Sequence, residues 1–240
     1  QPAFANKRIG IATIAGSASS TLTSNGMRAP APNSGAAGTY ATTNIFTRAF
    51  RVVSSSTATA GTLGYFTVAA AEYTLGVTGT PNYAGFYLSS KFGIADTVAS
   101  PRTFVGMSSN VSAPTNVEPS TLTNSIGVGQ GAANTNLFVY YGGSAAQTPI
   151  DLGASFPTGT SNTDWYELIL FAPPSSNNTV YYQVTRLNTG NVASGTLTGT
   201  AGTALPANTT SLAYRAWRSN NATASAVSIA QGNVYIETDY

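Results

Sequence analysis

Any acid–base chemistry near neutral pH would fall to carboxylates here, because the 240-residue chain contains neither histidine nor cysteine. Their absence removes the side chain that titrates near pH 7, the thiolate nucleophile, and the imidazole and thiolate ligands of most transition-metal sites. The eight acidic residues are Glu72, Asp96, Glu118, Asp151, Asp164, Glu167, Glu237 and Asp239. Glu237 and Asp239 share one face if their segment is a strand, and Asp164 and Glu167 stand three apart. Glycoside hydrolysis needs two carboxylates flanking the scissile bond, and distant strands could bring such a pair together. With so few acids, solvation or pairing with arginine is the simpler assignment, so the expected catalytic residues are none. An oxygen-ligand calcium site is the one metal chemistry open to this composition, and no D-x-D-x-D-G loop occurs. No metal ligand and no cofactor is assigned from the residues. Gly127-Val-Gly129-Gln-Gly131 has phosphate-loop-like glycines but lacks the following helix and the Lys-Ser/Thr pair, and is expected to be a turn.

Recognition is the chemistry the residues favour instead. Sugar rings stack on aromatic faces, while amides and hydroxyls bind their OH groups. Trp217 lies between Arg215 and Arg218, at odd parity to Tyr214 and Ala216. If Tyr214 points inward, Trp217 and Arg215 share the outward face. These two and Tyr87 are the candidate ligand-binding residues. The alternative for Trp217 is a place in the core or a subunit interface, where large aromatics usually lie, and Trp165 is assigned to the core. The N-x-S/T sequons at Asn110, Asn177, Asn208 and Asn221 are no more frequent than an Asn/Ser/Thr-rich chain produces by chance.

The surroundings of these residues are unusually neutral. Charged residues make up 8% of the chain, against about 25% in ordinary soluble domains, so solubility rests on Ser, Thr, Asn and Gly. With 42% apolar residues in short recurring runs, the chain has ample material for a core and lacks the composition of a disordered segment. The net charge of +2 comes from scattered basic residues with no cluster beyond Lys7-Arg8, so no nucleic-acid partner is expected. No apolar run approaches the roughly 18 residues that cross a bilayer, so no membrane insertion is expected. Position 1 is Gln rather than Met, which reads as a fragment or processed chain.

The elements that must position the candidates read as strands. Residues 1–45 are set apart as an extended arm or linker: Ile9, Ile11 and Ile14 alternate briefly, then small residues dominate from Ser17 to Thr43. From Ile45 onward strand signals recur about every 10 residues, the spacing of an antiparallel sandwich or barrel. Phe86, Leu88 and Phe92 alternate with Tyr87, Ser89 and Lys91, giving one core face and one exposed face. Trp165 to Phe171 is apolar on both sides except at Glu167, which predicts a central strand covered on both faces. Pro173-Pro174 ends it. Val180, Tyr182 and Val184 alternate with Tyr181, Gln183 and Thr185, and Asn188-Thr189-Gly190-Asn191 turns the chain back onto Val192 to Leu197. Leu212 to Arg218 and Val234 to Tyr240 are the last strands, joined by a Ser/Asn/Ala stretch. A chain end lying in a strand is tied into its sheet, so truncation there should destabilise the domain.

Several of these segments together resemble a known family. They are RTFVGMSS from Arg102, APTNVEPSTLTNSIGVG from Ala113, IDLGASFP from Ile150, WYELILFAPP from Trp165, VTRLNTG from Val184 and VYIETDY from Val234. In this order they resemble the C-terminal, lectin-like domains of bacteriophage tail-fibre and related virion fibre proteins, over most of residues 45–240. The resemblance implies an all-β fold, an antiparallel concanavalin/lectin-like β-sandwich of jelly-roll type over 46–240, with the N-terminal extended arm at 1–45 leading toward a fibre shaft. It also implies a homotrimer in the virion, joined to other virion proteins through its N-terminal side. The residues contain neither coiled-coil heptads nor a triple-stranded shaft repeat, and the family offers no fixed binding residues to carry over. The expected function is non-catalytic binding to the bacterial host surface, with a cell-surface polysaccharide or other envelope receptor as partner. The alternatives are a structural fibre or capsid-decorating protein, and a glycan-cleaving tailspike.

Overall fold

The computed structural model describes residues 7–12, 22–24, 27–29, 45, 51–68, 70–80, 82–159 and 161–239. The strands are β1 (Lys7–Ala12), β2 (Leu22–Ser24), β3 (Met27–Ala29), β4 (Val52–Ser55), β5 (Leu63–Val68), β6 (Phe86–Ile94), β7 (Arg102–Ser108) and β8 (Ser125–Gln130). They continue with β9 (Phe138–Gly142), β10 (Ile150–Asp151), β11 (Trp165–Ala172), β12 (Thr179–Arg186), β13 (Asn191–Thr198), β14 (Ala213–Ser219) and β15 (Ser228–Asp239). All named pairings are antiparallel and build two sheets. The first has the order β1-β15-β6-β11-β12-β13, with β4 also on β15; the second runs β10-β9-β8-β7-β14-β5-β3-β2.

Alternation decides which side chains meet between the sheets. Phe86, Leu88 and Phe92 of β6, Leu168 and Leu170 of β11, and Val180 and Val184 of β12 are buried in one cluster with residues of the opposite sheet. Those partners include Val105 and Met107 of β7, Ile126 and Val128 of β8, and Tyr214 and Ala216 of β14. Each large apolar side chain so buried stabilises the sandwich by about 1.5–3 kcal/mol. Polar groups in this interior are paired. The Tyr214 hydroxyl is bonded to Ser90 Oγ at 2.7 Å and donates to Gln231 Oε1. At one end Arg218 makes a two-pronged ion pair with Asp96 at 2.8 and 2.9 Å, and donates to Thr103 Oγ1 and Gln130 Oε1.

The antiparallel sandwich expected of the sequence is present, with local differences that bear on the site. Gly127 and Gly129, expected in a turn, lie inside strand β8. A Cβ on Gly127 would come 2.3 Å from Val105 O and 2.8 Å from Phe104 Cζ, and one on Gly129 would come 1.9 Å from Thr103 O. Gly127 leaves the outward Phe104 ring the space a side chain would take, and Gly129 lets the β7 backbone approach closely. Strand β11 is central, between β6 and β12, but its outward face is closed only at the Trp165 end, where Trp165 packs with Val53 and Ala230: Glu167, Ile169 and Phe171 are partly exposed. Strand β15 starts at Ser228, inside the stretch read as a joining loop, and at the irregularity between Gln231 and Val234 its outer neighbour changes from β4 to β1. The 188–191 turn is as expected, with Gly190 at φ +79 and its N–H bonded to Arg186 O at 2.8 Å.

Within 1–45, β1 lies along β15 with Lys7 opposite Asp239, and the β2–β3 pair extends the second sheet through β5. Ile14, most of the small-residue stretch up to Thr43, and Tyr240 lie outside the described residues.

Candidate functional site

The outer faces of the two sheets differ. On the second sheet Trp217 stands opposite Tyr65 and Phe104, with Gly129 and Phe138 continuing the row. Its ring packs on Phe104 at 6.4 Å, and Tyr140, Leu122, Leu63, Tyr65 and Phe138 complete the cluster. Leu122 belongs to the connection between β7 and β8, which Arg102 ties down through Glu118 at 2.8 Å and Asn116 Oδ1 at 2.8 Å. Trp217 is therefore 1% exposed and Arg215 4%. Arg215 donates to Asn110 O and Ser112 O, at 3.0 and 3.1 Å, and burial pulls its pKa down to about 10. Both residues have the outward parity expected of them, yet the β7–β8 connection covers them and neither side chain is open to a ligand.

Among the described residues the outer face of the first sheet is covered around Trp165 and Ala230 and open over the rest of β6, β11, β12 and β13. Strand pairing aligns Glu237, Tyr87, Phe171, Tyr181 and Thr196 in one row across β15, β6, β11, β12 and β13. The next row is Tyr235, Ser89, Ile169, Gln183 and Ser194, and beyond it Lys91, Glu167, Thr185 and Val192 face one another. Phe171 and Tyr181 stack at 6.1 Å with 19° between their planes, and Tyr181 is 46% exposed. Tyr87 and Tyr235 meet edge to face at 6.2 Å. Tyr87, a residue expected to bind, thus lies on this face and is partly exposed.

Charge divides the face. Toward β15 and β6, Glu167 accepts from Ser89 Oγ at 2.9 Å and lies 4.0 Å from Lys91 Nζ, while Tyr235 donates to Glu237. The hydrogen bond to Glu237 pushes the Tyr235 pKa up to about 12, and burial with the fields of Glu167 and Glu237 raises that of Tyr87. Both hydroxyls therefore stay protonated at neutral pH. Toward β12 and β13 the surface is neutral and grooved. A depression of about 350 Å³ is lined by Ile169, Phe171, Tyr181, Gln183, Ser194 and Thr196, together with Tyr182 and Gly195. On the opposite, inward side of β13, Gly195 leaves space for the Tyr182 ring, since a Cβ on it would come 2.6 Å from Tyr182 Oη. A second depression of about 650 Å³ lies at the end of the same ladder, between Asn177, Asn178 and Thr179 on one side and Thr198, Gly199, Thr200 and Ala201 on the other.

No carboxylate lines either groove. Asp96, Glu118 and Asp164 are held by Arg218, Arg102 and Arg186, and Asp151 accepts from Asn136 and the Gly153 N–H. Among the described residues no group of three or more His, Cys, Asp and Glu side chains could hold a metal. What these grooves offer is stacking and neutral hydrogen bonding. Reading the residues alone passed over Phe171 and Tyr181. The signal available was their surplus: each is an aromatic on the side of its strand opposite the core.

No protein-family model and no curated protein matches the sequence. Solved structures do match in three dimensions. Arcelin-5, a lectin-like defence protein from Phaseolus vulgaris, superposes with a TM-score of 0.56 at 9% identity, over 98% of this chain and 100% of that one. Winged bean acidic lectin, in complex with methyl-α-D-galactose, gives 0.56 at 10% identity, over 98% and 99%. The CBM2 module of the evolved Dit protein of Lactobacillus casei BL23 phage J-1 gives 0.53 at 12% identity, over 98% of each chain. At these identities the likeness defines architecture: the chain has the lectin-like, jelly-roll β-sandwich fold.

Proposed function

We propose that this domain is a non-catalytic carbohydrate-binding module, displayed on a phage virion fibre, that attaches to polysaccharide on the bacterial host surface. The observation that carries the reading is the exposed Phe171–Tyr181 stack, set in a groove of hydroxyl and amide side chains without a carboxylate in its lining. An aromatic platform ringed by neutral donors and acceptors suits a sugar ring, whose faces are apolar and whose rim is hydroxylated. The fold shared with a galactoside-complexed lectin and a phage CBM2 module supports it. So does the family resemblance of the sequence, which adds a homotrimeric fibre and an attachment route through residues 1–45. In a trimer several weak sites would combine into firm adhesion.

The test is a glycan array and a host-cell adsorption assay with the isolated protein, scored against Tyr181→Ala. Retention of envelope polysaccharide and competition with phage adsorption are expected. Failure to bind any bacterial surface polysaccharide would sink the proposal. Light scattering addresses assembly separately: a stable monomer at micromolar concentration would remove the trimer but leave the binding site standing.

A further inference from the structure

We infer that the ligand is an uncharged oligosaccharide chain lying lengthwise along the β12–β13 ladder, rather than a single sugar or an anionic glycan. The inference deepens the carbohydrate reading and rests on it. The two grooves are successive stretches of one surface. Thr179, Tyr181 and Gln183 are two apart along β12, and Thr198, Thr196 and Ser194 stand opposite them on β13. Side chains two apart project to the same face of a strand, so these form one outward ladder. At about 3.3 Å per residue, the path from Gln183 to Thr179 along β12 covers about 13 Å, already more than one pyranose ring occupies, and Asn177 and Asn178 continue the surface beyond the strand. Phe171 and Tyr181 supply a platform at one end, and Asn177, Asn178 and Thr200 supply amide and hydroxyl groups at the other. Part of that far end is already ordered: Thr78 Oγ1 donates to Asn177 Oδ1 at 2.8 Å, leaving the Asn177 amide nitrogen for a ligand oxygen.

The sign of the ligand follows from what is missing. Among the described residues, no charged side chain lines either groove. A uronate or phosphate seated there would give up water without gaining a cation, and a buried charge without a partner is costly. The nearest part of the same face makes this worse for an anion, because Glu167 and Glu237 stand on it with Lys91 as the facing cation. An uncharged chain meets neither penalty, and its binding should hardly respond to salt.

Affinity electrophoresis against immobilised neutral polymers (dextran, pullulan, galactomannan) and anionic ones (alginate, hyaluronate), alongside a bacterial polysaccharide array, tests this. The proteins are the wild type, Tyr181→Ala, Thr196→Lys, and Tyr83→Ala as a control. Tyr83 is 52% exposed and lies outside both grooves. Expected is retention by at least one neutral polysaccharide, changing less than about twofold between about 20 and about 500 mM NaCl. Tyr181→Ala and Thr196→Lys should each weaken it at least about tenfold, equivalent to about 1.4 kcal/mol, with unchanged circular dichroism. Tyr83→Ala should bind as the wild type. Unaltered binding by both groove variants would overturn the placement and leave the carbohydrate reading intact. Salt-sensitive retention by anionic polymers alone would overturn the uncharged class. If no polysaccharide is retained, both readings fall together.

Discussion

At the scale of single residues, the ion pair of Arg218 with Asp96 shows how little charge this protein needs and how much depends on the charge it has. The two side chains are 1% and 8% exposed, and Asp96 also accepts the Ser228 N–H at 2.7 Å. Removing one partner strands the other, so Asp96→Ala should cost about 3–5 kcal/mol in urea unfolding. Tyrosines set the alkaline limit. Burial pushes the Tyr140 pKa up to about 12 and raises those of Tyr166 and Tyr214 as well. Each titrates near 10 in the unfolded chain, so the folded state favours the protonated form. For Tyr140 this stability is complete below about pH 10 and is lost as pH rises through about 12, and for Tyr166 and Tyr214 the loss extends to still higher pH. An ultraviolet titration should show a late-ionising class of tyrosines that disappears in urea, and a single unperturbed class would contradict it. None of these pairings was legible in the residues, since Asp96 and Arg218 meet from positions far apart in the chain.

Strands carry the next level. Alternation in β6 and β12 showed their inward faces directly, because a pleated strand sends successive side chains to opposite sides. In β11 and β8 the same reasoning fell short for physical reasons. An apolar residue on a strand's second face can be covered or can line an open groove, and hydrophobicity is the same in both cases; Ile169 and Phe171 take the second option. A glycine run signals a turn or a close approach, and only the neighbouring strands distinguish them; Gly127 and Gly129 mark close approaches. Gly127→Ala should accordingly destabilise the protein by about 1–3 kcal/mol, seen as a lower denaturation midpoint with an unchanged slope. A neutral result would mean that Phe104 and the β7 backbone can move aside.

For the whole molecule, β15 links the elements of the first sheet. It pairs β6 on one side and β4 and then β1 on the other. A chain cut before residue 228 should therefore fail to fold cooperatively, giving no sharp thermal transition, whereas a cut in a surface loop would leave one. The two outer faces differ at this scale as well. The β7–β8 connection closes over Trp217, and the first sheet keeps Tyr181 and Phe171 in reach of solvent. The residues by themselves determined the all-β class, the strand parities, the lack of histidine and cysteine chemistry, and the neutral character of the surface, because composition and alternation are local properties. Which aromatics are open was decided only by the tertiary structure. Trp217 and Tyr181 both point outward from their sheets, and what separates them is a loop, tethered from elsewhere in the chain, that lies over one and not the other.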